Sequence, residues 1–145
     1  MNKINIFVSS TCYDLSQIRT DLHESICNLG YTPVLSEFAN FPINPSVNTV
    51  ENCIEVVNSS ADIFVLILGN RYGYQLGSGK SITNLEFLAA KGKNIPIYVF
   101  MNKKLINILP VYLNNKSSDY SNFVDNTEIF EFANEIRNNS GLWSF

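Results

Sequence analysis

The spacing of apolar and polar positions changes several times along the chain, and each change marks an element. Residues 3–9 (KINIFVS) are apolar and β-branched, which predicts a first strand. A hydroxyl-rich turn follows at 9–13 (SSTCY). Leu15, Ile18, Leu22, Ile26 and Leu29 then recur at helical spacing, so a helix packs one face on the sheet. Asp14 or Thr11 is expected to cap it through a side-chain oxygen, and Gly30 to end it. Residues 31–36 (YTPVLS) read as a short second strand. Pro33 cannot donate to a ladder, so the strand lies at an edge or begins after the proline.

A loop punctuated by Pro42 and Pro45 leads to Ser46, the expected cap of a second helix whose inward face is Val47, Val50, Ile54 and Val57. Residues 61–68 (ADIFVLIL) form a continuous apolar run, as a strand covered on both faces requires. Beyond a loop at 69–80, Ser81 is a good N-cap, Ile82, Leu85, Leu88 and Ala89 give a third helix its apolar face, and Gly92 is expected to end it. Residues 95–101 (IPIYVFM) make a fourth strand. The polar, Asn/Ser-rich stretch 102–125 predicts irregular structure, with a short apolar patch at 105–113. Ile129, Phe132, Ala133 and Ile136 mark a last helix, and 142–145 look like the start of a further strand. Alternation of strands and helices gives an α/β fold: a flavodoxin-like, three-layer sandwich with a parallel sheet of four to five strands and helices on both faces. The order 2-1-3-4-5 places the topological switch point between the first and third strands. The loops that meet there are 9–13 and 69–74, with Glu37 beside them.

Composition narrows the function. The 145 residues fit one domain, 46% of them hydrophobic and 16% charged. The net charge of −3, without a Lys/Arg cluster, argues against nucleic acid as a partner but leaves room for a nucleotide. No apolar run reaches the roughly 18–20 residues of a membrane span, and the start runs directly into a strand pattern, so a cytoplasmic protein without a signal peptide is expected. Cys12, Cys27 and Cys53 lack CxxC spacing and read as free thiols, and with His23 as the lone histidine no zinc site is expected.

The candidate chemistry collects at the switch point. Glu86 lies in the opening turns of the third helix, where the dipole favours a carboxylate. Facing the crevice, it is placed to orient a ribose and stabilise an oxocarbenium-like transition state; facing outward, it is a helix-start acid. The turn 69–73 (GNRYG) supplies Asn70, Arg71 and Tyr72. Arg71 offers a planar fork for phosphate, or pairs with an acid such as Glu37 or Glu86, and Tyr72 or Tyr74 offers a stacking ring. Ser9, Ser10 and Thr11 sit where hydroxyls and backbone N–H groups meet an anion, or serve as a helix cap. Cys12 has no evident base nearby and makes a poor nucleophile. Residues 77–81 (GSGKS) imitate the end of a Walker A loop, but the position five before Gly79 is Tyr74 and about ten residues separate the pattern from its strand.

Three blocks carry a resemblance: IFVSSTCYDL (6–15), DIFVLILGNRYG (62–73) and SITNLEF (81–87). They resemble the signature blocks, approximately IFVSSTFxDL, DIFVLIxGxRYG and SITxxEY, of a bacterial domain-of-unknown-function family. That family is TIR-like, with a flavodoxin-like fold, and is distantly similar to nucleoside 2-deoxyribosyltransferases. In NAD-cleaving TIR domains and in those transferases, a glutamate on or near the helix after the third strand is the key catalytic group. Ser9, Ser10, Thr11, Glu37, Asn70, Arg71 and Tyr72, gathered at the switch point, are the expected substrate-binding set, and the catalytic role is carried to Glu86 by the resemblance. The resemblance implies NAD as a possible substrate with no further cofactor, no metal, homo-oligomers through TIR-like contacts, and downstream domains in a signalling or phage-defence protein. Cys12 stands where an aromatic is common, and Asn84 where some members carry a second acid. A non-catalytic interaction module and a deoxyribosyltransferase-like enzyme are the alternatives.

Overall fold

A computed structural model describes residues 2–139 and the backbone of 143–144. The order of elements is β1 (Asn5–Ser9), α1 (Ser16–Asn28), β2 (Thr32–Val34), α2 (Thr49–Ser60), β3 (Ile63–Leu68), α3 (Ile82–Lys93), β4 (Ile97–Met101), α4 (Lys103–Asn114), α5 (Glu128–Arg137) and β5 (Trp143–Ser144). The strands form one parallel sheet in the order β2-β1-β3-β4-β5, so the α/β, flavodoxin-like topology read from the sequence is the one observed. Pro33 sits in β2 at the sheet edge, where its missing N–H costs no ladder bond. The short β5 extends the sheet beyond β4 through Tyr98 and Val99. Leu142 and Phe145, which the expected last strand includes, lie outside the described residues.

Strand parity divides the interior in two. Phe7, Phe64, Leu66, Leu68, Ile97, Val99 and Met101 point to one face and build the larger core with α2, α3, α4 and α5. Ile6, Val8 and Ile67 point to the other face and form a smaller cluster with Ile26 of α1 and Leu35. Period-2 alternation in β1 and β3 thus feeds both layers, which is why β3 is apolar throughout.

Several boundaries differ from the sequence reading. Helix α1 begins at Ser16 with Leu15 at its N-cap and no side-chain cap; Asp14 is drawn instead to the turn after β3, where its Oδ1 lies 3.9 Å from Arg71 Nη1. Of its expected inner stripe only Ile26 is fully buried, while Ile18 and Leu29 are exposed. Asn48, not Ser46, caps α2 by accepting from the Glu51 N–H, so Val47 lies before the helix and Asn52, Cys53, Val56 and Val57 take the buried face. Gly92 is inside α3; the helix ends at Asn94, left-handed at φ 60°. The stretch expected to be irregular contains α4, capped by Asn102 Oδ1 on the Lys104 N–H. Its Leu105, Leu109 and Tyr112 fall one helical turn apart and bury against α5.

Candidate functional site at the β1 and β3 strand ends

The turn after β3 presses against the loop after β1. A Cβ on Gly69 would lie 3.4 Å from Asp14 Oδ2, and one on Gly73 would lie 3.0 Å from Thr11 Cγ2. Gly73 also has φ 86°, so a side chain there is strained as well as crowded. These two glycines let the loops of the switch point touch.

Helix α3 brings Glu86 beneath them. Ser81 accepts the Asn84 N–H at 3.2 Å and fixes the first turn, and Glu86 follows on the face turned to the end of β1. There Ser9 Oγ donates to Glu86 Oε1 at 2.9 Å. Glu86 is 6% exposed. Burial pushes its carboxyl up to about 7, and the negative Glu37 adds to the rise, against the pull of the Ser9 hydroxyl and the Arg19 charge. A carboxyl in this state supplies either a proton or a negative charge near neutral pH.

Arg19 of α1 is the residue that sequence reasoning passed over. It is among the largest fully buried side chains, 2% exposed. Its Nε and Nη2 donate to the two Glu37 oxygens at 2.6 and 2.7 Å, and its Nη1 donates to Ser10 Oγ at 2.9 Å and Val8 O at 3.2 Å. Burial alone would lower the Arg19 pKa; the Glu37 bond and the surrounding negative charge raise it above its ordinary value. Burial likewise opposes ionisation of Glu37, and the Arg19 bond overcomes it and holds that carboxyl low. The signal was present in the sequence: position 19 shares the helical face of Leu15, Leu22 and Ile26, and an arginine in an apolar stripe requires a buried partner.

The remaining predicted residues divide. Ser9, Ser10 and Glu37 converge on Glu86 and Arg19, but their side chains are engaged with protein partners. Ser10 Oγ donates to Thr11 O at 2.8 Å. Thr11 Oγ1 is buried without a hydrogen-bond partner. Arg71 is 44% exposed and pairs loosely with Asp14 and, at 3.8 Å, with Asp125, rather than with Glu37 or Glu86. The Tyr72 ring does not present a stacking face beside Glu86. It is 3% exposed, meets Phe132 edge-on, and accepts from Asn84 Nδ2 at 2.9 Å; Tyr74 is the exposed ring of this turn. Asn70 lines a separate cavity of about 510 Å³ with Asn102 and Lys104.

The Walker-like stretch is a tight hairpin. Gly79 N–H donates to Leu76 O at 2.8 Å, and Leu76 N–H to Lys80 O at 3.0 Å, so these amides are used within the turn. His23, given no role, stacks on Phe38. The three cysteines are free, and burial followed by the neighbouring Glu86 charge pushes the Cys53 thiol up to about 12. Among the described residues no cluster of three or more His, Cys, Asp or Glu side chains is arranged to hold a metal, and no helix is long and apolar enough to cross a membrane.

Comparison with known proteins gives one positive result. The model of a family described as a domain of unknown function (DUF4062) matches residues 5–145, nearly the entire chain, so the chain belongs to that family. Neither the curated proteins nor the solved structures gave a match.

Proposed function

We propose that this member of a family without an assigned activity is a TIR-like domain that cleaves the N-glycosidic bond of NAD or a related nucleotide, in a bacterial signalling or defence protein. One observation carries the reading: a buried carboxyl, Glu86, at the carboxyl end of β1, hydrogen-bonded to Ser9 and titrating near 7. Ligands of open α/β sheets bind at this switch point. In the reaction the bond from ribose C1′ to the nicotinamide nitrogen breaks, and its electron pair leaves with the ring, which departs neutral. The ionised Glu86 stabilises the ribosyl cation, and the proton of the attacking water passes to that carboxylate. Arg71, still half exposed, is the cation at the mouth for phosphate, Thr11 Oγ1 has an unused hydrogen-bonding position, and Tyr74 supplies the exposed ring.

Entry requires motion, because Glu86 is 6% exposed and its neighbours are bonded to one another. The loops after β1 and β3 must part for a nucleotide to reach it. Activity is therefore expected under conditions that open them, such as activation of the full-length protein. The test is nicotinamide release from NAD by the full-length protein and by Glu86→Ala. Release by the first alone supports the proposal; equal release by both, or none under activating conditions, rules it out.

A non-catalytic, self-associating module is the second reading. It is favoured by an open apolar cleft of about 320 Å³ between α1 and the sheet, lined in part by Leu15, Ile18, Leu22 and Ile67, with Ile18 45% exposed. A second copy of this chain is the occupant this reading requires.

A further inference from the structure

We propose that Arg19 is a positioning residue for Glu86: anchored by Glu37, its guanidinium clamps the Val8–Ser10 end of β1, and so sets both where Ser9 meets the Glu86 carboxyl and how much positive charge that carboxyl feels. The inference rests on the reading of Glu86 as the reacting group for its functional meaning, but its geometry stands without it.

Each contact has a direction. The fork of Arg19 is spent on Glu37, two N–H donors to two carboxylate oxygens, the arrangement in which a guanidinium is held most firmly. That leaves Nη1 to reach Val8 O and Ser10 Oγ, one residue on either side of Ser9. Ser9 is thus fixed from both sides by one cation, and Ser9 Oγ is the group that meets Glu86 Oε1. Glu37, at 36% exposure, is the member of the chain that solvent or a ligand reaches, whereas Arg19 is sealed at 2%. A perturbation at the Glu37 carboxylate is passed to a buried carboxyl through one buried cation.

The charges around Glu86 make the transmission readable. Arg19 from α1 pulls the carboxyl toward ionisation, and Glu37 after β2 pushes it toward the protonated form. Ser9 of β1 donates to it, and Cys53 of α2 also feels its charge but holds its proton through the neutral range. Glu37 and Arg19 therefore act on Glu86 with opposite signs. A structural salt bridge with no influence on Glu86 has no such signature, since breaking it from either side only destabilises the fold.

The experiment is a carboxyl carbon-13 NMR titration of Glu86 in the full chain without substrate, in the wild type, Glu37→Gln and Arg19→Met. Because no turnover is read, failure here is separable from failure of the proposed reaction. In Glu37→Gln the Glu86 midpoint falls by about half a pH unit or more, because a neighbouring negative charge is gone while Arg19 remains. In Arg19→Met, the midpoint rises by at least as much. Should Arg19→Met fail to fold, Glu37→Gln decides alone, since its site is partly exposed and its shape is kept. A smaller fall in Glu37→Gln, no movement, or a rise overturns the proposal.

Discussion

Near pH 7 the Glu86 carboxyl is half ionised, and only its neutral form is at ease in a site 6% exposed to solvent. The sign of the linkage follows. Between its ordinary value of 4.5 and the folded value of about 7, the folded state holds a proton that the unfolded chain has lost. The stabilising effect of this proton uptake is full below about pH 4.5 and is lost as pH rises through about 7. Above that range the buried charge costs on the order of 3 kcal/mol relative to a neutral group, taking 1.36 kcal/mol per pH unit. Glu86→Gln removes the titration and keeps the shape. It is expected to be more stable than the wild type at pH 8, by roughly 1–3 kcal/mol, and nearly equal to it at pH 4.5. Chemical denaturation at the two pH values measures this; parallel stability curves would remove the premise that burial controls Glu86. A gain in stability from Glu86→Gln at pH 8 would show that the ionised carboxyl is held at a cost to the fold, as strained functional sites are.

Among the elements, the glycine turn after β3 is held close against the loop after β1. Gly73 and Gly79 both have positive φ, 86° and 82°, so alanine at either is strained by about 1 kcal/mol. They differ in surroundings. A Cβ at 73 meets Thr11 Cγ2 at 3.0 Å, whereas one at 79 meets nothing within 4 Å. Gly73→Ala is therefore expected to lower stability more than Gly79→Ala, by about a further 1 kcal/mol, and to disturb the amide resonances of the loop after β1. Thermal melts and an amide correlation spectrum compare the two; equal losses would show that the loops do not bear on each other. The elements also show where sequence was informative. The apolar run of β3 and the Ser81 cap of α3 were legible because a single local rule governs each. Helix α4 was not: the run 105–113 is apolar at almost every position, so Leu105, Leu109 and Tyr112 do not stand out as one buried face, and Pro110 interrupts its ladder. Burial of those three side chains against α5 holds the helix despite the proline. At the site, motif and helix placement pointed to Glu86, while the Arg19–Glu37 pair joins residues 18 apart in sequence across the β1 end, a contact that spacing alone does not encode.

The molecule as a whole is unevenly held. Four helices and the larger core lie on one side of the sheet, and α1 covers the other with the small cluster of Ile6, Val8, Ile26, Leu35 and Ile67. Helix α3, by contrast, buries Phe87 and Ala90 completely. Regions with fewer buried apolar contacts open at lower free energy. Helix α1 also carries Arg19, so its opening would withdraw the clamp on Val8 and Ser10. Opening of α1 is thus expected to loosen the β1 end that holds Ser9 against Glu86. Hydrogen exchange at neutral pH is expected to show the central amides of α1 exchanging at least about tenfold faster than those of α3, a difference of about 1.4 kcal/mol in opening free energy. Glu37→Gln should widen that gap by weakening the tie between α1 and the loop after β2, without changing exchange in α3. Exchange of α1 as slow as that of α3 would mean that access to Glu86 must come through the loops alone, with α1 fixed in place.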